Sequence, residues 1–145
     1  MIIFKKRRFK LPARWYTRDV ARVQNNGLAR ITAALIALSW WLQWGTGSGA
    51  AASANVVTTT STTEARSSAT ATQQTTTVTN DTMRLVATIT ELSAGPVAIT
   101  EVGAFDAAGS GSPPTGGNMD IYGDFAAINV SLGDSIQFTV NTKFT

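Results

Sequence analysis

Hydrophobic and polar positions change their period along this chain of 145 residues. Leu28, Ile31, Leu35, Leu38 and Leu42 recur at spacings of three and four, which puts them on one face of a helix running to about Leu38. Asn25-Asn26-Gly27 offers the turn and N-cap before it. Trp40, Leu42 and Trp44 then alternate with Trp41 and Gln43 as residues of a strand do, so Trp40 and Trp44 are expected in a core and Trp41 at a contact with another subunit.

From Gly45 onward the chain turns to Gly, Ala, Ser and Thr, and threonine dominates from Asn55 to Thr79. Thr is stiff at χ1 and suits a pleated surface, so extended structure is expected there. Leu85, Ala87 and Ile89 alternate with polar neighbours in a strand that ends at Ser93-Ala94-Gly95-Pro96, and VAITEVGAF begins the next. Those two strands read as a hairpin with a four-residue loop. Ala107 to Gly117 reads as a flexible surface loop by its Gly, Ser and Pro content. Short strands follow at Met119 to Phe125 and Ala127 to Ser131, with a turn at Leu132-Gly133-Asp134. In the last strand Ile136, Phe138, Val140 and Phe144 face one way while Gln137, Thr139, Asn141 and Lys143 face the other. Short strands separated by turns, with no helix after residue 45, predict a mainly β fold: an antiparallel β-sandwich or jelly-roll-like domain.

Charge divides the chain differently. Residues 1 to 30 hold nine of the twelve Lys and Arg residues against the single acid Asp19, and the remainder carries three basic and eight acidic residues. The overall +3 therefore combines a segment of +8 with one of −5. The expected organisation is a basic docking arm at 1–26, a helix with a Gly-rich connector at 27–49, and a β-sandwich domain at 50–145. In the arm, Lys5, Lys6, Arg7, Arg8, Lys10, Arg14, Arg18 and Arg22 interleave with Phe4, Phe9, Trp15 and Tyr16. Disordered tails are poor in aromatics, so such an arm is expected to bury them on a partner. Arginine and aromatic anchors typify protein interfaces, and together with Trp41 these twelve residues are the candidate partner-binding set. The same mixture can neutralise phosphates and stack bases, which would give non-specific contact with nucleic acid. The apolar run from Leu28 to Trp44, behind basic residues, has the look of a signal peptide. Its leader is long for one, and the run falls short of the roughly 20 apolar residues that span a bilayer, so no membrane association is expected.

The segments NNGLARIT, WGTGSGAAASA, TEAR, QQTTTVTNDTMRLVATIT, AITEVGAFDA, GNMDIYGDFAAINV and GDSIQFTVNTKF, taken in order, resemble a group of small virion proteins of tailed bacteriophages, related to modules at the attachment ends of tail fibres. The resemblance covers residues 25 to 145 and stops short of the basic arm. It departs at Ala104, where the group carries a larger apolar residue, and near Asp120. It implies a structural β-rich virion protein with no catalytic residues. Combined with the arm, it leads to the expectation of a homo-oligomeric capsid decoration or cement protein whose arm anchors on the major capsid protein, with packaged DNA within reach. A tail, neck or fibre-attachment protein docking on portal or tail components is the alternative. A protein binding nucleic acid through the arm alone is the second.

Catalytic and cofactor chemistry finds little footing. The chain has no Cys and no His, which removes disulfides, thiolate zinc sites and imidazole bases. Gly45-Thr46-Gly47-Ser48-Gly49 has the glycine density of a phosphate loop, but β-rich sequence follows it where such a loop needs a helix N-terminus. Asp106, Asn118, Asp120 and Asp124 could contribute oxygens to Ca²⁺, though Asp and Asn are also ordinary turn formers. Glu91 and Glu101 could pair as acid and base across a hairpin, with solvated strand charges as the commoner reading. No enzyme activity and no cofactor are expected.

Overall fold

Met83, Leu85, Ala87 and Ile89 fall on every second residue of one strand, and all four are buried. The same alternation in the other strands builds the core of the fold. The computed structural model describes residues 23–47, 62–93 and 95–145. These form one helix, α1 (Asn25–Ile36), and six strands: β1 (Trp40–Gly45), β2 (Ser67–Gln74), β3 (Thr82–Thr90), β4 (Val97–Phe105), β5 (Met119–Val130) and β6 (Ser135–Lys143). The fold is mainly β, a single antiparallel sheet of order β5-β4-β1-β2-β3-β6 curled nearly into a barrel.

β1 makes the corner. It pairs with β2 only through Trp40, Trp41 and Leu42, and with β4 from Trp41 to Gly45. The alternation of Trp40, Leu42 and Trp44 read from the sequence is thus a strand, and it lies in the middle of the sheet. Curling brings the edge strands β5 and β6 face to face, with the rings of Phe125 and Phe138 5.9 Å apart and Trp44 edge-on to Phe138 at 6.2 Å. Between the two walls lie Trp40, Leu42, Trp44, Met83, Leu85, Ile89, Ile99, Val102 and Val130. Each large apolar side chain so buried contributes about 1.5–3 kcal/mol of transfer free energy.

Several local expectations are revised. The helix starts at Asn25 behind Gln24 as N-cap, with no side-chain cap. Its buried face is Leu28 and Thr32, with Leu35 and Ile36 against the core, while Ile31 and Leu38 are exposed. A polar Thr takes a core-side position because its hydroxyl finds acceptors there. The expected hairpin between β3 and β4 does not form, since β3 pairs with β2 and β6 while β4 pairs with β1 and β5. Alternation is identical in a hairpin and in an arch between facing walls, so the pattern could not separate them. One strand, β5, replaces the two short ones, and irregularities at Ile99/Glu101 and Ala104/Phe105 let it follow the curl. Of the Thr-rich stretch, residues 67–74 form β2 and residues 76–80 turn back toward β3.

Candidate docking surface

The end of the barrel at α1 is fixed by a polar knot. The Thr32 hydroxyl, fully buried, donates to the Asn80 carbonyl at 2.6 Å and accepts from Gln73 Nε2 at 2.7 Å. Gln73 also donates to the Ala29 carbonyl at 2.8 Å, and Trp40 Nε1 donates to the Leu35 carbonyl at 2.8 Å. Asn80, at φ 58°, tops the turn into β3. Asp81 holds that turn together by accepting from the amides of Thr76, Thr77 and Val78 and from the Thr82 hydroxyl. Although burial opposes its charge, these bonds hold the Asp81 carboxyl far below the usual carboxylate range. The Asp81 carbonyl also accepts from the Phe144 amide, so the last strand is tied to the same knot.

Trp41 lies on the outer face of the sheet, half-buried, between Ser68 of β2 and Phe105 of β4. Arg66 stands over the Phe105 ring at 3.6 Å and donates to Gln43 Oε1 and to the carbonyls of Ala107 and Gly116. Loop 107–117, expected to be flexible, is thus clamped to the sheet, and Ser110 and Thr115 bridge within it. Nothing in its Gly-Ser-Pro composition disclosed a clamp located some forty residues upstream in Arg66. The remaining candidate residues, Phe4, Lys5, Lys6, Arg7, Arg8, Phe9, Lys10, Arg14, Trp15, Tyr16, Arg18 and Arg22, lie outside the described residues.

The acids divide into three settings. Asp106 accepts from the amide and the side chain of Asn118, which together hold its carboxyl below the ordinary value. Burial and the nearby Asp106 raise that of Asp120, while Asp124 sits across from Glu101 on β5. Among the described residues no three or more acidic side chains gather as a metal site would require. Glu91 and Glu101, read as solvated strand charges, are instead both fully buried, and they lie in different walls. Glu101 accepts from the Tyr122 hydroxyl at 2.9 Å.

Glu91 continues the inward series of β3 into the arch. Its Oε1 accepts from the amide and hydroxyl of Ser93, and its backbone pairs with Asp134 and Gly133 of the turn between β5 and β6. Among the described residues its Oε2 has no hydrogen-bond donor. Glu64, buried beside it, accepts from Trp44 Nε1 at 3.3 Å and from the Leu92 amide at 3.4 Å. Burial opposes the Glu64 charge, yet the bonds from Thr62, Trp44 and Leu92 outweigh it and keep the carboxyl below its usual value. Leu92 of the arch and Leu132 of the turn between β5 and β6 stand 70% and 65% exposed. Sequence reasoning missed this end because it took the arch for a hairpin.

No known protein family matches the chain, no characterised protein resembles it closely enough to count as a relative, and no solved structure matches the fold. Among the described residues no helix is long and apolar enough to cross a membrane.

Proposed function

We propose that this chain is a non-enzymatic structural protein of a tailed-phage particle, and within it a capsid decoration or cement protein. The observation that supports this most is the ordered set of segments over residues 25–145 that resembles small tailed-phage virion proteins. The fold agrees with the β-rich module this implies. A module of this kind acts by linkage: contacts made only on the assembled shell stabilise the assembled shell, and repetition over many copies makes weak contacts sufficient.

Mechanical sense comes from the knot at Thr32 and Asp81. Tension on an anchored arm reaches the β-module through α1, whose Thr32 and Ala29 are bonded directly to the β2–β3 turn and to β2. The arm supplies grip and the barrel supplies bulk. The test is incorporation. Full-length chain and a chain lacking residues 1–22 are supplied to assembling particles, and copies per purified particle are counted by quantitative mass spectrometry. Many copies of the full-length chain, lost on truncation, are expected. A few copies confined to tails would replace this reading with that of a tail or neck fitting, and equal incorporation of both chains would overturn the role of the arm.

A further inference from the structure

α1 has a second apolar side that the barrel does not use. Leu28 and Thr32 face the core, while Gly27, Ile31 and Ala34 follow one another at spacings of four and three on the outer side, with Leu38 four residues further on. Ile31, Ala34 and Leu38 are exposed, and none of the four carries a charge. Val23, Ile31 and Leu38 make up half of the large apolar side chains exposed among the described residues. Single exposed apolar residues are ordinary on a protein surface, whereas a contiguous row of them marks a docking site.

The chain itself begins to cover this row. A Cβ at Gly27 would lie only 2.8 Å from Val23 Cγ1, so the Val23 side chain occupies the notch that the glycine leaves. Val23 and Gln24 stand outside the helix, and Gln24 is extended at φ −77° and ψ 161°, so α1 does not run straight on into the residues before it. Two non-helical residues are enough to join antiparallel helices. The sequence of residues 13–22 matches the row in register. Ala13, Tyr16 and Val20 recur at spacings of three and four, while Arg14, Arg18 and Arg22 recur at four on the opposite side, which is the pattern of an amphipathic helix. Pro12, just before them, suits a helix start. Reflected through the Val23–Gln24 turn, Val20 falls opposite Gly27, Tyr16 opposite Ile31 and Ala13 opposite Ala34.

We propose that residues 13–22 fold back along α1 of the same chain as the other half of a helical hairpin, with Tyr16 covering Ile31 and Ala13 against Ala34. A second copy is the poorer occupant. Gly27 to Ala34 spans about 10 Å at about 1.5 Å per residue, whereas a stable interface buries about 800 Å² per partner. A segment tethered two residues away acts at an effective concentration on the order of mM, where a small contact suffices. In this arrangement Arg14, Arg18 and Arg22 face outward beside Trp15, and residues 1–11 are left to reach a partner. Tyr16 thereby passes from the docking set to the support beneath it. The inference concerns the isolated chain and does not depend on the particle reading.

Disulfide trapping tests it, because the chain has no cysteine of its own. One full-length variant carries Ala13→Cys with Ala34→Cys. A control carries Arg14→Cys with Ala34→Cys, which turns the first thiol away from α1. Both are treated with a mild oxidant at low protein concentration, and intact mass with peptide mapping separates links within a chain from links between chains. Thermal melting confirms that the folded module is intact. The first pair is expected to close within the chain at least about tenfold faster than the control, since a disulfide needs Cβ atoms about 3.5–4.5 Å apart. Equal rates would mean a loose tether without register, links between chains would give the row to a second copy, and no link at all would leave it bare; each of these overturns the proposal. Amide exchange supplies a check without thiols. Residues 15–22 are expected to be protected in the parent chain, and at least about tenfold less so when Ile31→Ser weakens the contact, because local opening sets their exchange. Parent amides that exchange freely, or protection that Ile31→Ser leaves untouched, would also overturn it.

Discussion

Replacing Thr32 by Val keeps the shape of a fully buried side chain and removes only its hydroxyl. In the native knot that hydroxyl donates to the Asn80 carbonyl at 2.6 Å and accepts from Gln73 at 2.7 Å. Without it the Asn80 carbonyl loses its donor from α1, whereas Gln73 retains the Ala29 carbonyl at 2.8 Å. One lost hydrogen bond costs about 0.5–1.5 kcal/mol and leaving a fully buried acceptor unpaired about 1–3 kcal/mol; with the Asn80 carbonyl only part-buried, the variant should be destabilised by about 1–2 kcal/mol. With a urea slope of about 1–3 kcal/mol/M, the midpoint should fall by about 1 M at unchanged slope. The measurement is equilibrium urea unfolding of the full chain followed by tryptophan fluorescence, repeated in Gln73→Met and in the double variant. Because the two side chains share a bond, the double variant should lose less than the two single losses added, by about 0.5–1 kcal/mol. A loss below about 0.5 kcal/mol, typical of an unremarkable surface change, would refute the claim that this hydroxyl ties α1 to the β2–β3 turn.

Phe138→Ala removes the ring that meets both Trp44 and Phe125 across the barrel, and should cost about 3–5 kcal/mol in chemical denaturation. Arg66→Met strips the clamp from loop 107–117, so amide exchange at Ser110 and Thr115 should accelerate well before global unfolding, and unchanged protection would show that the loop holds itself. The Asp81 carboxyl is depressed in the folded state, so its contribution is present above the ordinary Asp value of about 3.9 and is lost as pH falls below it. Thermal melting should accordingly decline on acidification below about pH 4, and Asp81→Asn should lower the neutral-pH melting temperature while flattening that acid limb.

How far the sequence disclosed this molecule depended on whether a residue's role was local. β6 was legible because Ile136, Phe138 and Val140 obey a period of two against a single core, and Trp40 and Trp44 were legible for the same reason. The helix was legible in place but not in orientation. Counting only apolar residues selected Ile31 and Leu38, whereas the face that packs is completed by Thr32, whose partners lie over forty residues away. Glu91 and Glu101 looked like surface charges because nothing nearby in sequence announces that an arch will fold over one and Tyr122 will reach the other. Of the candidate docking residues, Trp41 is the one whose surroundings are described, and its half-covered setting beside Phe105 follows from a register that only the folded sheet defines.

The sheet begins and ends, in spatial order, with β5 and β6, strands that are consecutive in the chain and joined by the short turn through Leu132 and Gly133. Along this slit the described side-chain contact is the tilted Phe125–Phe138 pair, worth about 0.5–1.5 kcal/mol beyond its burial, whereas neighbouring strands elsewhere in the sheet share backbone ladders, the shortest being the three residue pairs between β1 and β2. A sideways load on the module should therefore part the slit first, with the turn acting as a hinge pin that keeps the two lips in register and lets them re-close. Thus a small barrel can yield under stress without surrendering its hydrogen-bonded frame.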